Sequence, residues 1–291
     1  MTDKNQAIVQ LKSIVNNNYW QEQLKNVLGK NAGTFATSLM EVFSNDSKLI
    51  QCEPKSLMRE AIKAASLKLA INKQLGYAYL VPFNNYNKET KTTTLTPTLV
   101  IGYKGYVQLA VRSGLYKNIN ADVVYEGELM GFDKLTGAID LSGNKTSDKI
   151  VGFFAYFELV NGFNRTMFMT LEQMAKYALR YSPSFRGRNV PSVDNLMELA
   201  QNQVDAGVAG NGVGWTSDFC GMACKTVLRR LLSKYGYLSI EMEMAYTNEI
   251  ENESAAMNER DEANNADIEE VNLVDADATE VAENTTEAFP E

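Results

Sequence analysis

The feature that most limits how this chain can fold is a change of hydrophobic period near residue 76. Before it, apolar residues recur at three- and four-residue spacing: Ile8, Leu11, Ile14 and Val15, then Trp20, Leu24, Val27 and Leu28, then Phe35, Leu39, Val42 and Phe43. Each set falls along one helical face. Gly29 is placed to stop the second helix, and Pro54 suits the first turn of another that runs through Leu57, Ile62, Ala65 and Leu69 to about Lys73. After Gly76 the period becomes two. Tyr77, Tyr79, Val81 and Phe83 alternate, and after a polar turn a β-branched run extends from Thr92 to Ile101. That pattern predicts a hairpin.

Further strands are expected at 119–125, 150–159 and 165–169, with a helix at 102–114 between hairpin and strands. Thr170 with Gln173 has the form of a capping box for a helix to about Arg180. Thr216 or Ser217 is placed to cap a last helix that ends at Gly236. Between them, residues 182–214 are broken by Pro and Gly and read as a mobile excursion. The fold class is therefore α+β, a mostly antiparallel sheet with packed helices. Its divisions are an N-terminal helical lobe (1–75), a core (76–248) and a disordered acidic tail (249–291).

Charge supports the last boundary. The net charge is −8, yet fifteen of the 36 acids and one of the 28 bases lie in 249–291, which leaves 27 bases against 21 acids before it. A basic body points to a polyanionic partner, and an acidic tail to a competitor for the same surface. Deleting 249–291 is then expected to tighten binding of that polyanion or remove a partner while leaving the activity of the body intact. The acids are also unevenly placed. Windows 61–88, 90–121, 173–193 and 219–240 contain no Asp or Glu and four Lys/Arg each. Acid-free basic stretches suit a phosphate track, since a nearby carboxylate cancels the attraction.

Several chemistries are excluded or weak. The chain has no histidine, which removes Ser-His-Asp and Cys-His catalysis. Cys52, Cys220 and Cys224 are an odd number, which argues for a reducing, cytoplasmic setting, and Cys220 and Cys224 at i, i+4 read as small core residues. The only Gly-Lys pair, Gly29-Lys30, has Leu24 and Asn31 where a P-loop needs glycine and a hydroxyl. No leader or membrane span is expected, because the N-terminus is polar and no long apolar run occurs. Asp122, Glu126 and Glu128 leave a metal-dependent nuclease as an outside reading, with an adaptor for an acidic protein as the other alternative.

The basic windows carry candidate contacts. In 173–193, Lys176, Arg180, Arg186 and Arg188 interleave with Tyr177, Tyr181 and Phe185, which suits a strand held by its phosphates and stacked through its bases. Lys104 lies in Ile101-Gly-Tyr-Lys-Gly-Tyr-Val-Gln108, a turn whose amides are candidates to meet a phosphate directly. On the last helix, Lys225 and Arg229 flank one side of the apolar arc, and Arg230 and Lys234 the other.

Several motifs resemble the RecT/Redβ group of phage single-strand annealing proteins, nearest the RecT branch. They are Leu75-Gly-Tyr-Ala-Tyr-Leu-Val-Pro82, the 101–114 stretch, Ile119-Asn-Ala-Asp122 with Tyr125-Glu-Gly-Glu128, Phe157-Glu-Leu-Val-Asn-Gly-Phe163, and Lys225-Thr-Val-Leu-Arg-Arg-Leu-Leu-Ser-Lys-Tyr-Gly236. The likeness covers about residues 20–246, and the stretch 185–214 is longer than the family pattern. The resemblance implies a Rad52-like annealing core. It also implies ATP-independent binding of single-stranded DNA and pairing with a complement through an annealed duplex intermediate, in recombination and DNA repair within a bacterial host cell. The protein would work as a homo-oligomer, a ring or a helical filament, with a 5′→3′ exonuclease and a host single-strand-binding protein as partners. No cofactor is implied, and a Mg²⁺ requirement is left open. By position, Lys104, Arg112, Lys117, Lys225, Arg229 and Lys234 would line the DNA groove, Arg180, Arg186 and Arg188 would lie beside it, and Trp215 would contact DNA or pack.

Overall fold

The computed structural model describes residues 3–87, 92–185, 190–209, 214–237 and 239–254. Four α-helices come first in the chain: α1 (Asp3–Val15), α2 (Asn18–Leu28), α3 (Ala32–Asn45) and α4 (Pro54–Ser66). The Asn17 side chain caps α2 and Gly29, at φ 55°, ends it. The fourth helix stops short of Lys73. Lys68 turns to φ 53°, and the Arg112 guanidinium closes the helix end by donating to the carbonyls of Leu67 and Lys68 at 2.8 and 3.0 Å.

The expected hairpin is β1 (Ala78–Asn87) with β2 (Thr92–Ile101). Pro82 lies opposite Pro97. Two strands have only edges, so neither missing N–H breaks an inner ladder. Helix α5 (Tyr103–Arg112) follows, then β3 (Tyr116–Tyr125), the short β4 (Gly131–Phe132) and β5 (Ile139–Asp140), β6 (Ile150–Leu159) and β7 (Asn164–Thr170). All three sheets are antiparallel: β1-β2, β3-β6-β7 and β4-β5.

Helix α6 (Leu171–Tyr181) opens on the Thr170–Gln173 capping box read from the sequence. The 182–214 stretch departs from expectation. It contains α7 (Val193–Asp205), capped by Ser192, with Leu196 and Ala200 buried. Gln203 of this helix donates to the Thr216 carbonyl and accepts from the Phe219 N–H, which ties α7 to the start of α8 (Phe219–Tyr235). The α8 cap is Asp218, which holds the Gly221 N–H, and not Thr216 or Ser217. Phe219, Val227, Leu228, Leu231 and Leu232 of α8 are fully buried, as are Phe153 and Phe157 of β6.

A ninth helix, α9, spans 240–254. It runs past the expected boundary at residue 249 because its inner face is anchored. Met242 and Ala245 are fully buried, and Tyr246 stacks on Tyr106 with centroids 5.8 Å apart. Asn248 and Asn252 reach the Leu99 carbonyl, and the Ile101 N–H donates to Glu249. Residues 255–291 lie outside the described residues. No described helix is long and apolar enough to cross a membrane.

Candidate nucleic-acid interface

The cations predicted as DNA contacts separate into those the fold consumes and those it leaves open. Lys225 and Arg229 are 6% and 7% exposed. The Lys225 ammonium lies 3.0 Å from Glu249 Oε1, which also accepts from the Ile101 N–H. Arg229 donates to Glu253 and to the Tyr177 hydroxyl, which itself donates to Glu253 at 2.6 Å. Burial alone would lower the pKa of Arg229, and the surrounding Tyr106, Tyr177, Glu249 and Glu253 overcome it, so the pKa rises. Both residues therefore lie inside the molecule, each neutralised by α9, rather than on a groove wall as the sequence suggested.

Other predicted contacts also have structural partners. Arg112 caps α4. Lys117 pairs with Glu158 across β3 and β6 at 2.8 Å, and that hydrogen bond raises its pKa. Lys176 pairs with Glu172 one turn earlier on α6. Trp215 is buried, edge-on to Phe219 at 5.1 Å between centroids. Lys104 is exposed in the first turn of α5. Two of the neighbouring amides are already engaged within the fold. Gly102 N–H donates to the Tyr77 carbonyl, and Gly105 N–H to that of Gly102. The two glycines serve close packing, since a Cβ on either would come within 2.2 Å of a backbone oxygen of Gly76 or Tyr77. Arg186 and Arg188 lie outside the described residues.

What remains open is a run of bases laid on aromatic rings. Arg165 of β7 sits 4.7 Å from the Phe163 ring and 5.8 Å from that of Tyr235, which Lys234 also covers at 5.1 Å. One turn earlier on α8, Arg230 lies 5.3 Å from the Tyr177 ring. Tyr177 packs on Tyr181 at 4.6 Å, and Arg180 lies 5.5 Å from the Tyr181 ring. Among the described residues, none of Arg165, Arg180, Arg230 and Lys234 is in a salt bridge. Phe163 and Tyr235 are 38% and 37% exposed. The sequence points to Arg180, Tyr181 and Lys234 as contacts and sets Arg230 beside Lys234 on one flank of the last helix, whereas it gives no such notice of Arg165, Phe163 and Tyr235. The signal for them is Phe163-Asn-Arg165 with Lys234-Tyr235, aromatic and base as close neighbours in both places.

This surface suits a flexible polyanion. Planar guanidiniums present several donors to phosphate oxygens, and rings at the same level offer faces to unpaired bases. The alternative sites do not converge. Asp122 accepts from the Val123 N–H, Glu126 from Ser147 and Lys149, and Glu128 from the Tyr125 N–H. Among the described residues no three His, Cys, Asp or Glu are grouped to hold a metal. Burial pushes the Cys52 and Cys220 thiols up to about 11 and about 12, and that of Cys224 up as well, which suits core residues and not nucleophiles.

Comparison with known proteins agrees with the motifs. An uncharacterized Bacillus subtilis (strain 168) protein, YqaK, is 36% identical over 231 residues, covering 79% of this chain and 68% of that protein. The Escherichia coli (strain K12) protein RecT is 29% identical over 199 residues, 67% of this chain and 62% of RecT. The chain thus spans somewhat under two thirds of the RecT it matches. The RecT family model matches residues 33–267, and by that match the chain belongs to the RecT family, membership of which supports a role in phage-type recombination by strand annealing.

Proposed function

We propose that the protein binds single-stranded DNA along the base–aromatic run from Phe163 to Arg180 and anneals it to a complementary strand without ATP. The observation that carries this reading is the set of four cations, Arg165, Arg180, Arg230 and Lys234, held against rings and free of carboxylates among the described residues. Pairing of complementary strands is downhill by about 1.4 kcal/mol per stacked step. The protein therefore needs only to offset the repulsion between two phosphate backbones and to keep bases presentable. Guanidinium and ammonium groups do the first. Ring faces do the second, because stacking is indifferent to sequence.

Repeated copies along one strand would extend the track, an exonuclease would supply the strand, and a host single-strand-binding protein would be displaced from it. Lys104 is the further open cation from the predicted set, while Arg186 and Arg188 remain candidates by their position after α6. The test is annealing of complementary oligonucleotides, without nucleotide, by wild type and by Arg165→Ala/Arg230→Ala/Lys234→Ala. The variant should anneal more slowly and bind a single strand with a shallower salt dependence, by about 0.7 in log–log slope for each phosphate that it no longer neutralises. Wild-type rates and slope in the triple variant would overturn the assignment.

A further inference from the structure

The loop between β3 and β6 carries a feature that DNA binding does not explain. Its tip, β4-β5, exposes three large apolar side chains, Met130 at 65%, Phe132 at 55% and Leu135 at 95%. They stand on a braced turn. Asp133 accepts from the Leu135 N–H at 2.8 Å and the Thr136 hydroxyl at 2.6 Å, and its backbone exchanges hydrogen bonds with Gly137 and Ala138. The loop base is closed by Gly127 and Gly143, where a Cβ would strike the Asn144 or Gly127 carbonyl oxygen at 2.3 or 2.0 Å. A rigid turn that displays isolated apolar side chains is organised to insert them into a partner, with little ordering cost on docking.

The N-terminal lobe offers a matching receptor. Helices α2 and α3 and the segment after α4 enclose an open groove of about 420 Å³, with Val27, Leu28, Phe35, Leu69 and Ile71 among its lining and Lys68 beside them. The segments that carry the two surfaces are opposite in net charge, and the charged residue in the groove lining is Lys68. Residues 1–75 carry ten Lys/Arg against six Asp/Glu, whereas residues 126–148 carry five Asp/Glu against two Lys.

We propose that the β4-β5 tip of one copy of this chain docks in the α2–α3 groove of the next, with Leu135 and Phe132 in the groove and the loop carboxylates facing Lys30 and Lys68. Tip and groove are different surfaces, so the contact is head-to-tail. Each copy donates one tip and accepts another, and the assembly grows until a ring closes or continues as a filament. The annealing function enters only in that repeated copies would extend the DNA track.

The decisive experiment pairs two surface variants, Leu135→Asp on the tip and Thr34→Arg in the groove. Both side chains are exposed, and far-ultraviolet circular dichroism with thermal melting confirms that each variant folds as wild type. Sedimentation velocity, with and without an oligo-dT strand, should show wild type as multimers and each variant alone as a monomer. An equimolar mixture should stop at a heterodimer, because the intact tip of the groove variant fits the intact groove of the tip variant. Wild type that stays monomeric in both conditions, variants that assemble like wild type, or a mixture that does not pair would each overturn the proposal. Binding to a strand short enough for one subunit is measured in parallel. The Leu135→Asp protein should retain it within about twofold, so a failed DNA site and a failed contact give different results.

Discussion

Helix α8 carries two pairs of cations that sequence treats alike and the structure treats as opposites. Lys225 and Arg229 point into the molecule against Glu249 and Glu253. Arg230 and Lys234, on the other flank, lie over the rings of Tyr177 and Tyr235. Adjacent residues of one helix, Arg229 and Arg230, thus have opposite surroundings. Tyr177 shows the division within a single side chain, since its hydroxyl joins the buried pair and its ring supports the exposed arginine. A cation becomes a phosphate site only where no carboxylate has reached it first. Here α9 supplies the carboxylates on one flank alone.

Removing the carboxylates should have the largest effect on the buried flank. Truncation after Asn248 deletes Glu249 and Glu253 together and leaves two buried cations unpaired. Removing one partner of a buried pair costs about 3–5 kcal/mol, so this truncation should lower the melting temperature severely or prevent folding. Truncation after Ser254 removes the rest of the acidic segment, keeps both pairs, and should melt as the full chain does. This revises the expectation that cutting at 249 spares annealing. Equal melting of the two truncations would show that the pairs contribute nothing to the fold.

Arg229→Ala comes next. It leaves Glu253 and the Tyr177 hydroxyl without their cation in a buried site, and should cost about 3–5 kcal/mol by urea unfolding. Arg230→Ala, one residue on, should cost no more than about 0.5 kcal/mol, as surface substitutions do, while weakening single-strand binding. If both variants lost the same stability, the contrast between the flanks would fail.

Much of the fold is legible in sequence because its signals are local. Gly29, Pro54 and the Thr170–Gln173 box mark helix ends by backbone preference or by hydrogen bonds within a few residues, and β6 is bounded as its apolar run predicts. Helix α7 escapes the sequence reading although Ser192 and the spacing of Val193, Leu196, Met197 and Ala200 describe it. The flanking Pro and Gly residues mask that signal. The interface is less legible, because freedom from carboxylates is a property of contacts across the fold. The acid-free windows locate bases correctly, yet Glu158 reaches Lys117 through the β3-β6 register and Glu249 reaches Lys225 from a segment that composition alone marks as a solvated tail. Arg165 escapes notice because it stands outside every basic window and gains its second ring, Tyr235, only when β7 packs beside α8.

On the open flank the expected effects are smaller and fall on binding instead of stability. Tyr235→Ala removes a ring that Arg165 and Lys234 share. A stacked base contributes about 1–3 kcal/mol by such substitutions, so affinity for oligo-dT in a fluorescence anisotropy titration should fall by at least several-fold. Tyr235→Phe should keep it. A Tyr235→Ala protein that binds like wild type would remove this ring from the DNA surface and confine the site to Arg230, Tyr177 and Arg180.

The smallest effect separates hydroxyls within the buried flank. Tyr106 and Tyr246 stack on each other, and among the described residues neither hydroxyl meets a hydrogen-bond partner, whereas the Tyr177 hydroxyl joins Arg229 to Glu253. A hydrogen bond to a charged group contributes about 1.5–3 kcal/mol, while deleting a hydroxyl that makes none costs little, since its desolvation is relieved. Tyr246→Phe should therefore leave urea-unfolding stability unchanged or raise it by up to about 1 kcal/mol, and Tyr177→Phe should lower it. Equal losses in the two variants would mean that shape, and not the Arg229–Tyr177–Glu253 contact, holds α9 to α8. The division of α8 into a structural and a binding flank would then rest on burial alone.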